Sequence, residues 1–188
     1  MGAIRRGAEK RETERMSDRS FQMMTLFMWV IDLFIPYIKK RVRGFGIREG
    51  MTVVDYGCGP GRYATKIAEL VGEEGKVYAA DIHELAIEAV KKKIEKHHLR
   101  NIGPVLVDGY NSGLPNNIAD VVCAIDMFFL IKKPTEFLLE LKRITKNDGI
   151  LVIDEGHQPR SVAKENIRDS GCWDIVEESK DHLKCRPC

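Results

Sequence analysis

The apolar positions along the chain divide it into two parts with different periodicities. In the first part, five apolar residues recur at steps of three or four: Phe21, Met24, Met28, Ile31 and Ile35. This spacing predicts a helix over residues 21–37 with one apolar face. The basic and glycine-containing stretch 39–46 that follows is interpreted as a linker. We therefore expect an N-terminal arm and apolar helix over residues 1–46 and a folded domain over residues 47–188.

From residue 51 onwards, short apolar runs alternate with helical periods. The runs that predict strands are 52–54, 76–80, 104–107, 121–125, 150–153, 173–177 and 182–185. The helical periods between them predict helices near 64–71, 86–94, 137–144 and 162–167. Strands that alternate with helices at this spacing form βαβ units, so we expect an α/β fold with a mostly parallel sheet. The stretch 108–119, rich in glycine and asparagine, is expected to replace one crossover helix with a loop.

Composition is that of a single globular domain. A chain of 188 residues can bury a substantial core, and 44% hydrophobic with 31% charged residues argues against global disorder. A net charge of +2 gives no general electrostatic case for binding nucleic acid. Five cysteines are too few for a disulfide scaffold, and the apolar stretch 21–35 is too short and too interrupted to span a membrane. We expect a cytoplasmic protein.

The most informative segment is a glycine-rich turn after the first predicted strand. It reads VVDYGCGPG over residues 53–61, with an acid two residues before the first glycine. Glycine tolerates positive φ and lets the backbone approach a ligand closely. In an open α/β sheet the ligand crevice lies at the carboxyl ends of the strands. The glycines alone are weak evidence, because a strand-to-helix turn needs no ligand.

Three acidic residues strengthen the case for a ligand at this edge. Asp55, Asp81 and Asp108 each lie at the carboxyl end of a predicted strand. Asp81 follows the last glycine of the turn by 20 residues, where a carboxylate can accept hydrogen bonds from both hydroxyls of a ribose. The alternative is that Asp81 caps the helix that follows. Three unpaired carboxylates at one edge would repel one another, so their coincidence favours a binding site.

Further segments complete an ordered set of motifs. They are VVDYGCGPGRYA, VYAADIHELAIEAV, LVDGYNSGLPNNIADVVCAIDMFFLI, FLLELKRITKNDGILVIDEG, WDIVEES and HLKCRPC. In this order they resemble the class I S-adenosylmethionine (SAM)-dependent methyltransferases, especially the small type that includes quinone-biosynthesis C-methyltransferases. The resemblance covers roughly residues 51–185. It implies a Rossmann-like fold with a seven-stranded, mostly parallel sheet, an antiparallel last strand and helices on both faces.

The resemblance also implies SAM as the cofactor. No metal is expected, because Cys185 and Cys188 are only half a zinc site and their spacing from Cys172 and His182 matches no zinc knuckle. The residues that would bind SAM are Asp55, Gly57, Cys58, Gly59, Asp81, Ile82, Asp108, Gly109, Ile125 and Asp126. Asp55 would hold the methionine ammonium, and Asp81 would hold the ribose hydroxyls. Ile82 would pack on the adenine face, and Asp108 would accept a hydrogen bond from the adenine amino group. Asp126 would complete the methionine end of the site.

The sequence says less about the methyl acceptor. The polar-Pro-Pro-aromatic box of amino-methylating enzymes is absent at 126–129, which disfavours exocyclic base amines and glutamine amides. No catalytic residue is identified, and the candidates are Tyr110, Asp126, Glu155 and His157. A small-molecule acceptor is expected, with no nucleic acid. If the apolar helix is a substrate lid, an apolar acceptor is favoured, and transient contact of residues 21–43 with a membrane surface becomes conceivable.

Two other functions fit part of the pattern. An NAD-dependent oxidoreductase also places an acid about 20 residues after a glycine turn, but the glycines here do not follow the G-x-G-x-x-G order. A SAM-binding module without turnover would need the same acids and no open acceptor pocket.

Overall fold

Helices and strands alternate from residue 52 onwards in the computed structural model, which describes residues 15–34 and 37–188. The helices are α1 (Asp18–Phe34), α2 (Tyr37–Arg43), α3 (Arg62–Val71), α4 (Glu84–His97), α5 (Pro134–Ile144) and α6 (Arg160–Asp169), with a short 3-10 helix at Phe128–Leu130. The strands are β1 (Thr52–Tyr56), β2 (Lys76–Asp81), β3 (Ile102–Leu106), β4 (Ala119–Ala124), β5 (Thr145–Ile153), β6 (Trp173–Glu178) and β7 (Leu183–Pro187).

The strands form a sheet in the order β3-β2-β1-β4-β5-β7-β6. The pairs from β3 through β5 are parallel, and β7 runs antiparallel to both β5 and β6. The predicted fold class is therefore confirmed. The strand order reverses between β1 and β4, and in open α/β sheets the ligand crevice lies at such a switch point. The carboxyl ends of β1, β2 and β4 border that crevice.

Both faces of the sheet are covered by helices. Val53 and Val121 belong to a buried cluster with residues of α2, α3 and α4. Their neighbours Val54 and Val122 belong to a second cluster with residues of α5 and α6. Because successive side chains of a strand point to opposite faces, a strand buried on both sides shows no polar alternation. This double burial explains the continuous apolar runs in the sequence.

The predicted strands are correct in number and order but not in every boundary. β5 begins at Thr145, whereas the sequence predicts only 150–153, and its pairing with β4 shifts register between Ala119 and Val121. β3 begins at Ile102 and contains Pro104, which is tolerated because β3 lies at the edge of the sheet. The predicted loop between β3 and β4 is confirmed, since residues 107–118 contain no helix.

The stretch interpreted as a linker is largely the helix α2, so that interpretation is wrong. Ile38, Val42 and Phe45 are buried in the cluster that contains α3. Three apolar side chains at this spacing give α2 an inward face despite its basic composition. The predicted helix over 21–37 corresponds mainly to α1, while residues 35–36 lie outside the described part. The domain boundary near residue 46 stays a prediction. None of the helices described combines the length and apolarity needed to cross a membrane.

One buried arginine joins α2 to the carboxyl edge of the sheet. Arg41 donates from Nη1 to the Tyr63 hydroxyl at 2.7 Å and to Asp126 Oδ1 at 2.9 Å. Its Nη2 donates to the Asp154 carboxylate and, at 2.7 Å, to the carbonyl oxygen of Asp181. The Asp181 carboxylate also lies 3.7 Å from Nε. A single guanidinium therefore links the loop after β4, the end of β5 and the loop between β6 and β7.

Replacement of this arginine should destabilise the protein strongly. Arg41→Ala leaves the buried Asp154 carboxylate without its cation, and loss of one partner from a buried pair costs about 3–5 kcal/mol in the free energy of unfolding. Urea denaturation measures this loss, with Arg43→Ala on the exposed side of α2 as the control. The loss should be smaller at pH 5.5 than at pH 8, because protonation of Asp154 relieves the uncompensated charge. Equal stabilities of the two variants would contradict the buried-pair account.

Candidate functional site

A cavity lies at the carboxyl edge of the sheet and opens to solvent; together with the open solvent at its mouth it comprises about 1020 Å³. Its floor is formed by the glycine turn after β1, the end of β2 and the loops after β3 and β4. Met24 and Met28 of α1 line it from the N-terminal side. The lining is mainly apolar, with a few polar groups, as in sites that bind small organic molecules.

The structure brings most of the predicted cofactor residues together around this cavity. Eight of the ten line it: Gly57, Cys58, Gly59, Asp81, Ile82, Gly109, Ile125 and Asp126. Asp55 is buried beneath the turn rather than in the wall. Asp108 is exposed, and its backbone pairs with Asn111 at 3.1 and 3.0 Å. The assigned binding roles of all ten remain predictions.

The glycine turn is held against β2 by its own backbone. The N–H groups of Gly57 and Cys58 both donate to the carbonyl oxygen of Ala80, at 2.8 and 3.0 Å. Gly57 has φ +77°, and a Cβ there would lie 2.8 Å from Cγ of Met127. Gly59 has φ +50°, and a Cβ there would meet no heavy atom within 4 Å. The turn is thus packed tightly at its first glycine and open to the cavity at its second.

Asp81 connects the turn to the start of α4. Its Oδ2 accepts from the Gly59 N–H and its Oδ1 from the His83 N–H, both at 2.8 Å. The residue that caps α4 is His83, whose Nδ1 accepts from the Leu85 N–H at 3.2 Å. Burial raises the pKa of Asp81, although these backbone N–H groups oppose that shift. A carboxylate has about four lone-pair sites, more than these backbone donors occupy, so Asp81 retains capacity for a ligand hydroxyl.

Asp55 is the buried acid of the site. Desolvation raises its pKa to about 7, although a backbone hydrogen bond from Ala64 opposes the shift. Its Oδ2 has no hydrogen-bond partner within the part of the chain that the structure describes. A buried acceptor without a donor is costly unless it carries a proton or meets a ligand. A cation bound above the turn would therefore lower the pKa of this carboxyl group.

Asp126 and Asp154 share the charge of Arg41. Asp126 has φ +59°, an unusual conformation for a residue other than glycine. Its N–H donates to Asp154 Oδ1 at 2.9 Å, which helps to hold that conformation. Burial and the Asp126 charge raise the pKa of Asp154 to about 7. Burial alone would also raise the pKa of Asp126, but Arg41 and the Tyr63 hydroxyl lower it.

The sequence-based reasoning missed most of this charge network. Arg41 lies in the basic stretch 39–46 that the sequence indicates as a linker, and no sequence pattern identifies Asp154 or Tyr63. The available signal was the position of Arg41 between Ile38 and Val42, on the apolar side of a short helical period. No comparable sequence signal pairs it with carboxylates that lie 85 and 113 positions away.

The four catalytic candidates occupy different environments. Tyr110 and Asp126 line the cavity, and the Tyr110 hydroxyl accepts from the Lys133 N–H at 3.1 Å. Glu155 is outside the cavity wall and pairs with Arg160 at 2.9 Å. His157 is exposed and packs edge-on against Phe129, with ring centroids 4.8 Å apart. Of the four candidates, only Tyr110 and Asp126 therefore lie within reach of a ligand in the cavity.

The start of α1 is fastened next to Asp81. Phe21 stacks on His83 with ring centroids 4.3 Å apart. Arg15 donates to Glu84 at 2.8 Å, which adds an ion pair at the start of α4. Phe21 and Arg15 also line the cavity. These contacts position the inner side of α1 over the cavity that the glycine turn and Asp81 border.

Comparisons with known proteins agree with this site. The family model described as "Methyltransferase domain" matches residues 47–185. The chain is similar to "Probable cobalt-precorrin-6B C(15)-methyltransferase (decarboxylating)" of Sulfurisphaera tokodaii, at 31% identity over 64% of this chain and 64% of that protein. It is also similar to ubiquinone/menaquinone biosynthesis C-methyltransferase UbiE of Teredinibacter turnerae, at 30% identity over 70% of this chain and 53% of that protein.

A solved structure extends the likeness. A SAM-dependent methyltransferase from Aquifex aeolicus superposes with a TM-score of 0.67 at 29% identity, over 80% of this chain and 88% of that one. The chain spans between about half and two thirds of the lengths of the two curated relatives. The family match covers the glycine turn, the strand-end acids and the closing antiparallel strands. The chain belongs to the class I SAM-dependent methyltransferases.

Proposed function

We propose that this chain transfers the methyl group of SAM to a small, apolar acceptor bound beneath α1. The observation that carries the proposal is the composition of the single cavity described above. One part of its wall contains the glycine turn and Asp81, and the remaining wall is mainly apolar and includes the inner side of α1. A cavity of this kind can hold a nucleoside cofactor and an apolar molecule side by side.

The residues fit SAM on structural grounds. Asp81 lines the cavity with free acceptor capacity for ribose hydroxyls. Ile82 and Gly109 supply apolar and uncrowded surface where an adenine ring would lie. The unpartnered Oδ2 of Asp55, beneath the turn, suits the ammonium of the methionine part. Burial keeps the Cys58 thiol neutral by raising its pKa, so it contributes packing rather than a competing nucleophile.

Methyl transfer from SAM requires little acid–base catalysis by the protein. SAM carries the transferred methyl group on a positively charged sulfur, and this sulfur is a leaving group that needs no further activation. The chain must align the acceptor atom with that methyl group and exclude water. Met24, Met28 and Met127 provide apolar walls for this purpose. Asp126 has a lowered pKa because of Arg41, which makes it a weak base and suits it better to orienting a hydroxyl.

The apolar lining of the cavity indicates the class of acceptor, and the substrates in the names of two relatives agree with it. Leu130 and Ile131, after β4, also belong to the apolar lining. Thioether and aliphatic side chains adapt to irregular apolar molecules and offer few hydrogen bonds. The names of two relatives refer to quinone and precorrin substrates, which are small molecules. These points favour a small acceptor with an extended apolar part over a protein or nucleic acid.

Loss of the Asp81 carboxylate should abolish SAM binding. Asp81→Ala removes the proposed ribose acceptors and the hydrogen bond that holds Gly59, so SAM affinity should fall by about a hundredfold or more. Isothermal titration with SAM, S-adenosylhomocysteine and NADH measures the effect, with Asp174→Ala on the exposed edge strand as control. Unchanged SAM affinity in the Asp81 variant would refute its role. Binding of NADH alone to the native protein would favour a nicotinamide enzyme.

SAM binding should release a proton from Asp55. The free protein has a pKa near 7 at this carboxyl, and an ammonium at Oδ2 would lower it. Affinity should therefore rise with pH below 7, by about fivefold between pH 6 and pH 7. Titrations in buffers of different ionisation enthalpy measure the proton directly in the native protein. Asp55→Asn should remove the pH dependence, and an absence of proton release in the native protein would overturn the assignment.

A matched pair of methionines tests the acceptor class. Met24 lines the cavity, whereas its neighbour Met23 is exposed on the other side of α1. S-adenosylhomocysteine formation should be stimulated by hydroquinones or phenols with alkyl chains in a small-molecule panel. Met24→Ser should raise the acceptor KM by about tenfold, because it removes buried apolar contact, and Met23→Ser should leave the KM unchanged. Transfer only to amines, peptides or tRNA would contradict an apolar acceptor.

A further inference from the structure

The outer face of α1 is as apolar as its inner face. Phe21, Met24 and Met28 face the cavity. Four other apolar residues recur at steps of one, three and four on the opposite side and are 42–67% exposed: Met23, Leu26, Phe27 and Val30. A surface helix normally turns charged residues to solvent on that side. An exposed apolar stripe of this length marks a surface that binds something.

Positive charge is concentrated in the same segment. Residues 18–43, which include α1 and α2, contain five basic and two acidic residues, a net charge of +3, whereas the rest of the chain contains 25 basic and 26 acidic residues. Arg41 is neutralised internally by its carboxylate partners. The other four basic side chains, at Arg19, Lys39, Lys40 and Arg43, are exposed. An apolar stripe thus lies between exposed basic residues at the start of α1 and along α2.

We propose that the outer face of α1, with the exposed basic residues of α2, docks on an anionic lipid surface. A helix that combines an apolar stripe with flanking Lys and Arg lies in the interface plane, with the stripe inserted at the level of the headgroups. Each basic residue near an anionic leaflet adds about tenfold or less to the binding constant, within one Debye length.

A second copy of the chain is a poorer occupant for this face. A symmetric dimer places the same patch on both sides of the interface. Both sides of such an interface would carry the same exposed cations at Arg19, Lys39, Lys40 and Arg43, so the two patches would have the same sign of charge and repel each other. An anionic bilayer satisfies both the apolar stripe and the positive charge, so the charge balance favours lipid.

Docking would place the cavity next to the source of an apolar acceptor. The inner residues of α1 line the cavity while the outer residues would contact lipid, so the helix separates the two by its own width. An acceptor dissolved in the bilayer would reach the cavity around α1 without crossing bulk water. This consequence rests on the proposed function, but the docking itself does not.

Vesicle co-sedimentation of the full chain tests the docking. The protein should bind vesicles of phosphatidylcholine with phosphatidylglycerol, and bind vesicles of phosphatidylcholine alone at least about tenfold more weakly. Added salt should weaken the binding to the anionic vesicles. The double variant Leu26→Ser/Phe27→Ser should lose about tenfold or more in vesicle affinity, because it removes two exposed apolar side chains. Lys39→Ala/Lys40→Ala should weaken binding to the anionic vesicles only.

The control substitutions are on the far surface of the domain. Leu139→Ser and Val176→Ser alter side chains that are similarly exposed, 50% and 51%, on α5 and β6, and they should leave vesicle binding unchanged. No binding to anionic vesicles, or equal losses in the control, would overturn the proposal. So would a salt-independent dimer in sedimentation velocity that Leu26→Ser/Phe27→Ser dissociates. SAM affinity should be unchanged in every docking variant, so failure of docking and failure of the proposed methyl transfer are separate results.

Discussion

The structure depends on how negative charge is compensated at the carboxyl edge of the parallel sheet. Asp55, Asp81, Asp126 and Asp154 lie at or just after the ends of neighbouring strands, and parallel pairing brings them to one edge. Backbone N–H groups compensate Asp81, and Arg41 compensates the two acids after β4 and β5. Asp55 accepts a backbone hydrogen bond from Ala64 but has no ion pair among the described residues, and burial raises its pKa to about 7. This acid, whose Oδ2 has no partner within the described part of the chain, lies where the proposed cationic end of SAM would bind.

Local rules account for the parts of this arrangement that the sequence predicts. The glycine turn, Asp81 and the alternation of strands and helices each depend on residues close together in the chain. Period and turn chemistry predict the alternation of strands and helices, the mostly parallel sheet and a glycine turn at its carboxyl edge. The family resemblance adds the antiparallel last strand and the ten proposed cofactor residues, eight of which line the cavity. Boundaries fail where tertiary pairing overrides local preference, as at Asn147 and Gly149, which lie within β5 although the sequence predicts this strand only from residue 150.

Arg41 shows why the remainder could not be predicted. A basic run beside glycines indicates a solvated linker when it is considered locally, and only the packed structure shows that one of its four cations is buried. The carboxylates that make this burial tolerable come from the residues just after β4 and β5 and from the loop before β7. A buried charge is stable only when all of its partners are present. The burial of Arg41 is therefore a property of the assembled edge of the sheet and cannot be predicted from any one segment. The positive φ of Asp126 depends on the same assembly.

The same arginine bears on how α1 can act as a cover. α1 is fixed near Asp81 by the Phe21–His83 stack, and the next helix, α2, is anchored by Arg41 to Asp126 and Asp154. The start of α1 is therefore attached beside the proposed ribose site, and the helix that follows α1 is attached beside Asp126. A lipid surface that bound the outer stripe of α1 would act on a helix next to both attachments. A shift of α1 on docking would then change the contacts at the proposed ribose site and, through α2, those of Arg41 with Asp126.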